Sequence, residues 1–356
     1  MSYQNIRFLL LKWNREDNQR SMPWKGERDP YKIWLSEIIL QQTRVEQGWN
    51  YYLKFIQHYP TIKELAEANP EDVFKLWEGL GYYNRCRNLI HTAQYIQEKH
   101  NDKFPENYDD IIHLKGIGAY TAAAIASFAY NLPYVVVDGN VKRLMARLFG
   151  IKSDVKNITG STSVKHYADK LFDDSNPRVF NQTLLDFGAT ICKPQNPLCL
   201  TCPINKYCYA FKHSLVNELP ITTIKKPLKK RFFYYFIIQH QQEIIVHKRL
   251  SDDIWANLYE FYLYENSSKN KLQKSQIIQI LKTLDTNIDI QHIETLFQIK
   301  QKLTHQELSL HFVHVRLHKK IKLKNGLNWV LISNVSNLAM PRQLVKFWNE
   351  WRCNFL

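Results

Sequence analysis

Cys192, Cys199, Cys202 and Cys208 fall within one short stretch, separated by six, two and five residues. Packing of this kind forces the chain to curl around whatever the thiolates bind, and the close Cys-x2-Cys step suits two sulfurs gripping one inorganic centre. Only six cysteines occur in 356 residues, so disulfides do not staple the fold. A zinc site most often pairs two tight knuckles, whereas here only Cys199 and Cys202 form one, which leans toward iron–sulfur. Thiolate count by itself does not separate the two metals. Cys86 and Cys353 stand apart and read as ordinary thiols.

A chain of this length suits two domains, each able to bury its own core. Its longest apolar runs, Phe8 to Leu11 near the start and Phe232 to Ile238 later, are too short to cross a bilayer, so the expectation is a soluble, reducing, cytoplasmic protein with no membrane partner. Lys and Arg number 48 against 33 Asp and Glu, a formal charge of +15. That balance favours a polyanion, nucleic acid first; a basic surface that merely maintains solubility is the alternative.

Residues 1–211 read as amphipathic helices between Pro, Gly and Asn turns. Asp29-Pro30 is a start signal, with the carboxylate at the N-cap and proline at the first helical position; Ile33, Trp34, Ile38 and Gln41 then keep helical spacing. Further helices are expected over Thr61–Leu80, Arg87–His100 and Asn140–Leu148. Residues 212–231 end in the basic, proline-bearing ELPITTIKKPLKKR and read as a linker. In 232–356, RFFYYFIIQH, EIIVHKRL and LSLHFVHVRL are aromatic and β-branched strand candidates, with a helix near Gln276–Leu284. This domain is expected to be α+β around a mainly antiparallel sheet.

LKGIGAYTAAAIA places Gly116 and Gly118 in a turn before a small-residue helix. Such a hairpin lets backbone N–H groups approach a phosphate at a helix N-terminus; a plain helix–helix turn is the alternative. Downstream, Asp138 ends an apolar run and precedes a helix, where an N-cap is the simplest role. Glu37 sits among Trp34, Leu35, Ile38 and Ile39, surroundings apolar enough to hold its proton near neutrality; a surface glutamate is the alternative. One protonated and one ionised carboxyl suit cleavage of a glycosidic bond through an oxocarbenium-like state.

In chain order, WLSEIILQQTRV, GLGYYNRCRNL, LKGIGAYTA, VVDGNVKR, FNQTLLDFGATIC and the cysteine cluster resemble the adenine DNA glycosylases, the MutY family of helix-hairpin-helix enzymes. The likeness covers essentially the whole chain. It implies an all-α glycosylase domain with an iron–sulfur loop and an α+β Nudix-like C-terminal domain. It also implies one 4Fe-4S cluster on Cys192, Cys199, Cys202 and Cys208, and removal of adenine from A:8-oxoguanine and A:G mispairs in double-stranded DNA by a monomer.

By motif, the resemblance makes Glu37 the acid that protonates adenine and Asp138 the group that stabilises the sugar cation or traps it covalently, with Tyr120 and Asn140 assisting. Trp24 would line the adenine pocket, Gln182 would contact the base edge, and Gln42 and Tyr82 would wedge into the stack. Gly116, Gly118 and Lys142 would meet the DNA backbone. Strand-cutting relatives carry a lysine where this chain has Tyr120, which implies a monofunctional glycosylase with at most slow, incidental lyase chemistry, for which Lys142 is the nearby amine if it is not a phosphate contact. The family reads 8-oxoguanine through Phe-Ser-His; here the residues are Leu303, Thr304 and His305, so hydroxyl and imidazole remain and the aromatic is gone. The acidic Nudix core is missing after Trp255, so no pyrophosphatase activity is expected.

Overall fold

The computed structural model describes residues 2–223, 227–250, 253–267, 271–323 and 326–352; Cys353 lies outside them. The chain divides into two compact units, Met1–Glu67 with Arg87–Lys225, and Ala68–Cys86 with Lys226–Leu356. No helix among the described residues is long and apolar enough to cross a membrane.

The first unit is helical. Its N-terminal helix, Tyr3–Glu16, buries Ile6, Leu10 and Trp13, the i, i+4, i+7 face of an amphipathic helix. These meet Leu144 and Leu148 from Gly139–Phe149, Val164 and Leu171 from Ile158–Leu171, and Phe180, Leu184 and Phe187 from Pro177–Thr190. Each side chain so buried contributes roughly 1.5–3 kcal/mol. The single helix expected over Thr61–Leu80 is instead two, Ile62–Glu67 and Pro70–Leu76, because Asn69 caps a new start by accepting from the Glu71 N–H and Pro70 cannot continue the first helix.

The hairpin joins Tyr108–His113 to Ala119–Tyr130. Gly116 is required twice over: its φ is +82°, and a Cβ there would meet that of Asn88 at 2.7 Å. Gly118 has ordinary backbone and open space where a side chain would stand, so what it contributes is an uncovered approach to the helix start.

The expected linker is bonded to the first unit near its start. Leu219 is buried, its carbonyl accepts from Arg147 Nε at 2.9 Å, and the Thr223 N–H donates to Asp154 at 2.8 Å.

In the second unit the strands β1 (Lys229–His240), β2 (Glu243–Lys248), β3 (Tyr259–Asn266), β4 (Ile290–Lys302), β5 (Gln306–Leu317) and β6 (Leu327–Leu331) form a sheet in the order β4-β5-β1-β3-β2-β6. Neighbours are antiparallel except β1 and β5, which run parallel from Lys229/Gln306 to Gln239/Arg316, so the sheet is mixed. The uninterrupted apolar run in β1 follows from burial on both faces. Phe233, Tyr235 and Ile237 pack with the Arg342–Trp351 helix, while Tyr234, Phe236 and Ile238 pack with Lys274–Lys282. Ala68–Cys86 is tethered here by Glu71, which takes Lys248 Nζ at 2.9 Å and the Tyr259 hydroxyl at 3.0 Å, and by Glu78, which accepts from the Met340 N–H at 3.2 Å.

A charged cluster lies inside this unit. Glu260, 1% exposed, accepts from Arg249 Nη1 at 3.0 Å and from the Tyr235 hydroxyl at 2.9 Å. Removing the cation strands a buried carboxylate, so Arg249→Met should cost the second unit about 3 kcal/mol in urea unfolding. A loss below about 0.5 kcal/mol, the range of ordinary surface changes, would show that the pair does not hold the unit together.

Candidate active site

The helix Pro30–Leu40 starts as its sequence signals: Asp29 accepts from the Tyr31 N–H at 2.9 Å and Pro30 occupies the first turn. Every residue from Ile33 to Ile39 is buried, so this helix has no solvent face on which Glu37 could lie. Glu37 is 8% exposed and lines a cavity of about 720 Å³ together with Trp24, Gln42, Tyr120, Asp138, Asn140 and Gln182. Residues far apart in sequence thus converge on one chamber within the first unit.

Burial pushes the Glu37 carboxyl up to about 7; a hydrogen bond from the Tyr120 hydroxyl works against this, and the Asp138 charge adds to it. Asp138 is raised as well, again by burial first, and is held down by donors: the Val141 N–H at 2.7 Å and Asn140 Nδ2 at 2.7 Å, with Arg143 nearby. The N-cap role and the site role therefore coincide in Asp138, one oxygen capping Gly139–Phe149 and the other tied to Asn140. The Tyr120 hydroxyl is kept protonated by burial and by the two carboxylates.

Arg143, not singled out in the sequence, anchors this group. Its guanidinium donates to Asn140 Oδ1 at 2.9 Å, to the Gly188 carbonyl at 2.7 Å and to the Cys192 carbonyl at 2.7 Å. One side chain so joins the Asp138 partner to the start of the cysteine loop. Asp186 was also missed: it is fully buried, with Arg20 and Lys25 each at 2.9 Å. Its i+4 relation to Gln182 on Pro177–Thr190 was the available signal.

Trp24 packs edge-on to Tyr52 at 5.3 Å. Gln42, exposed at the mouth of the chamber, has φ +58°. Lys142 follows Asp138 by one turn and is not among the residues lining the chamber.

In the second unit, Tyr82 also has a left-handed backbone, φ +48°, and is 44% exposed. Its hydroxyl is 2.5 Å from Thr304 Oγ1. Thr304 and His305 are exposed at the tip of the β4–β5 hairpin, which the Leu303 N–H closes by donating to the Gln306 carbonyl at 2.8 Å.

Cys192, Cys199, Cys202 and Cys208 border one small apolar cavity with Leu144, Leu148 and Phe187. Among the described residues no group of three or more Cys, His, Asp or Glu side chains is drawn together as a site for a metal ion. Burial pushes the Cys202 thiol up to about 12, and the other three thiols act in the same direction. Arg147 Nη1 lies 3.5 Å from Cys192 Sγ and donates to the Lys193 carbonyl at 2.7 Å.

Residues 35–165 match the HhH-GPD superfamily of base excision DNA repair proteins, and 233–350 match the NUDIX domain. An adenine DNA glycosylase of Buchnera aphidicola subsp. Acyrthosiphon pisum is 32% identical over 356 residues, covering 97% of each chain. The human adenine DNA glycosylase is 39% identical over 214 residues, which is 58% of this chain and 39% of that one. Among solved structures, a thermostable thymine-DNA glycosylase superimposes with a TM-score of 0.54 at 28% identity, covering 59% of this chain and 97% of that one. Endonuclease III in a trapped DNA covalent intermediate superimposes at 0.52 and 22% identity over 60% of this chain and 99% of that one, a likeness of fold.

The raised Glu37 pKa has a cost in stability. Between its ordinary value of 4.5 and about 7 the folded state holds a proton that the unfolded state has lost, so stability falls as pH rises through that window. Glu37→Gln removes the penalty. We expect the variant to be more stable than the parent by up to about 3 kcal/mol at pH 8 and nearly equal at pH 4. Equal denaturation midpoints at pH 8 would mean that Glu37 ionises without cost.

Proposed function

The chain belongs to the adenine DNA glycosylases, and from that we propose that it excises adenine opposite 8-oxoguanine, and opposite guanine, without cutting the strand. The observation that carries this reading is the pairing of a buried, protonatable Glu37 with Asp138 and Tyr120 in a chamber large enough for an extruded base. Extrusion costs a few kcal/mol of stacking and pairing, and Gln42 and Tyr82 are the side chains proposed to fill the gap.

In the proposed reaction the Glu37 carboxyl gives its proton to N7 of adenine, an acceptor not used in pairing. The bond between N9 and the sugar C1′ breaks and its electrons pass to the protonated base. Positive charge then spreads over C1′ and the ring oxygen, where Asp138 lies ready as the counter-charge. Asn140 holds one Asp138 oxygen and so fixes where that charge sits, and Tyr120 orients the Glu37 carboxyl. Water adds to C1′ and returns its proton to Glu37, leaving an abasic site. Tyr120 offers no amine at the position where strand-cutting relatives use lysine, which supports a purely hydrolytic outcome.

Gly116, Gly118 and Lys142 are proposed to hold the DNA backbone, with Trp24 against the base. Thr304 and His305, exposed beside Tyr82 in the same unit, are proposed to read the 8-oxoguanine strand.

The donor set of four thiols around one apolar cavity, free of carboxylates and imidazoles, fits a 4Fe-4S cluster on Cys192, Cys199, Cys202 and Cys208. Bound there, the cluster would supply a rigid loop rather than a reactive group. Cys202→Ser should lower bound iron and the broad visible absorption of the purified protein; stoichiometric zinc in place of iron would reject the cluster.

Incubation with a duplex carrying one adenine opposite 8-oxoguanine should give strand cleavage only after hot alkali. Glu37→Gln should slow adenine release by about 10²-fold or more, and the parental rate should decline as pH rises above 7. Cleavage without alkali, or a fully active Glu37→Gln, would reject the scheme.

A further inference from the structure

Gln182 faces the chamber with its amide already committed. Its Nε2 donates to Asp186 Oδ1 at 2.9 Å, one turn along the same helix. Asp186 is fully buried and receives three more donors at 2.9 Å: Arg20 Nη1 on Oδ1, and Asn18 Nδ2 and Lys25 Nζ on Oδ2. A carboxylate held by two cations can only accept, so it fixes which end of the Gln182 amide points away from the base. The Gln182 carbonyl oxygen has no protein hydrogen-bond partner among the described residues.

From this arrangement we propose that Asp186 is a specificity-positioning residue: it locks Gln182 with Oε1 toward the substrate, an acceptor matched to an exocyclic amine and mismatched to an exocyclic carbonyl. The inference rests on the reading of the chamber as the adenine site. Adenine carries the amino group that such an acceptor requires, whereas hypoxanthine, the same purine with oxygen in that place, presents a second acceptor to the first. A site built to bond a substrate N–H rejects the analogue that lacks it, because the buried acceptor is then unpaired. The charge arrangement explains why Arg20 and Lys25 stand at a chamber that takes an uncharged base: both are spent on Asp186.

The lock predicts a change in a ratio rather than a general loss. In Asp186→Asn the new amide can donate as well as accept, so Gln182 is free to turn its Nε2 toward the chamber. Single-turnover release of adenine and of hypoxanthine, each opposite 8-oxoguanine, should favour adenine strongly in the parent. In the variant, adenine release should slow at least 10-fold while the preference over hypoxanthine falls about 10-fold or more. Equal slowing of both bases would identify Asp186 as structural only and overturn the proposal. Should Asp186→Asn not fold, the same ratio read on Gln182→Met decides, since it removes the acceptor and leaves the buried carboxylate untouched. A parental ratio in that variant overturns the proposal, and a collapsed ratio supports it. Release of neither base by the parent would take down the substrate reading and this inference together.

Discussion

A carboxyl group that burial lifts to about 7, beside a second that burial raises and hydrogen bonds hold down, is the constraint from which the arrangement of the first unit follows. Water would erase the difference by solvating both, so the Glu37 helix is buried around its whole circumference and gives up the amphipathic stripe usual for a helix at a surface. Burial alone raises both groups, as the directions for Glu37 and Asp138 show. What separates them is donors: Asp138 has a helix N-terminus and the Asn140 amide, and Glu37 has one tyrosine hydroxyl. For Asp138 these hydrogen bonds oppose the upward push of desolvation, so the N-cap expected from sequence also favours its charged form.

Those hydrogen bonds need their own support, and arginine provides it. Arg143 and Arg147 are both largely buried, and they donate to carbonyls, an amide oxygen and a thiol rather than to carboxylates. Each guanidinium satisfies several backbone oxygens from segments that have no ladder to pair with, chiefly the turn after Pro177–Thr190 and the cysteine loop. The cysteine loop and the Asp138 cap are consequently not independent features. A shift of the Cys192 carbonyl would move Arg143, and with it the amide that holds Asp138.

Legibility in the sequence followed the range of the interaction. Glu37, Asp138, the hairpin turn and the Asp29-Pro30 start were readable because each depends on near neighbours: apolar flanks, a cap, a glycine pair. The strands β1, β2 and β5 were readable from composition, while β4 was not, since it is an edge strand with no fully buried position. The break at Asn69 was overlooked because apolar spacing runs on across it, although Asn-Pro is a stop and a start in one. Arg143 and Asp186 were invisible for a different reason: their partners lie up to 168 residues away, and a lone charged residue in a helix gives no sign of what it will face.

Gln42 and Tyr82 show what local pattern can and cannot say about strain. Both adopt a left-handed backbone without being glycine, a conformation that costs of order 1 kcal/mol or more and persists only where the surroundings enforce it. Neither motif, LQQT nor GYYN, signals it. Near Tyr82 the enforcement is visible: Gly81 beside it is also left-handed and its carbonyl accepts from Trp77 Nε1 at 3.0 Å, while the Arg85 guanidinium lies 5.5 Å over the Tyr82 ring. The ring is thereby held outward, 44% exposed, with its hydroxyl on Thr304. Holding an aromatic ring in solvent at a conformational cost serves no purpose in the isolated chain. For the wedge role proposed for Tyr82, a ring already ordered by the fold would not need ordering again when a duplex binds.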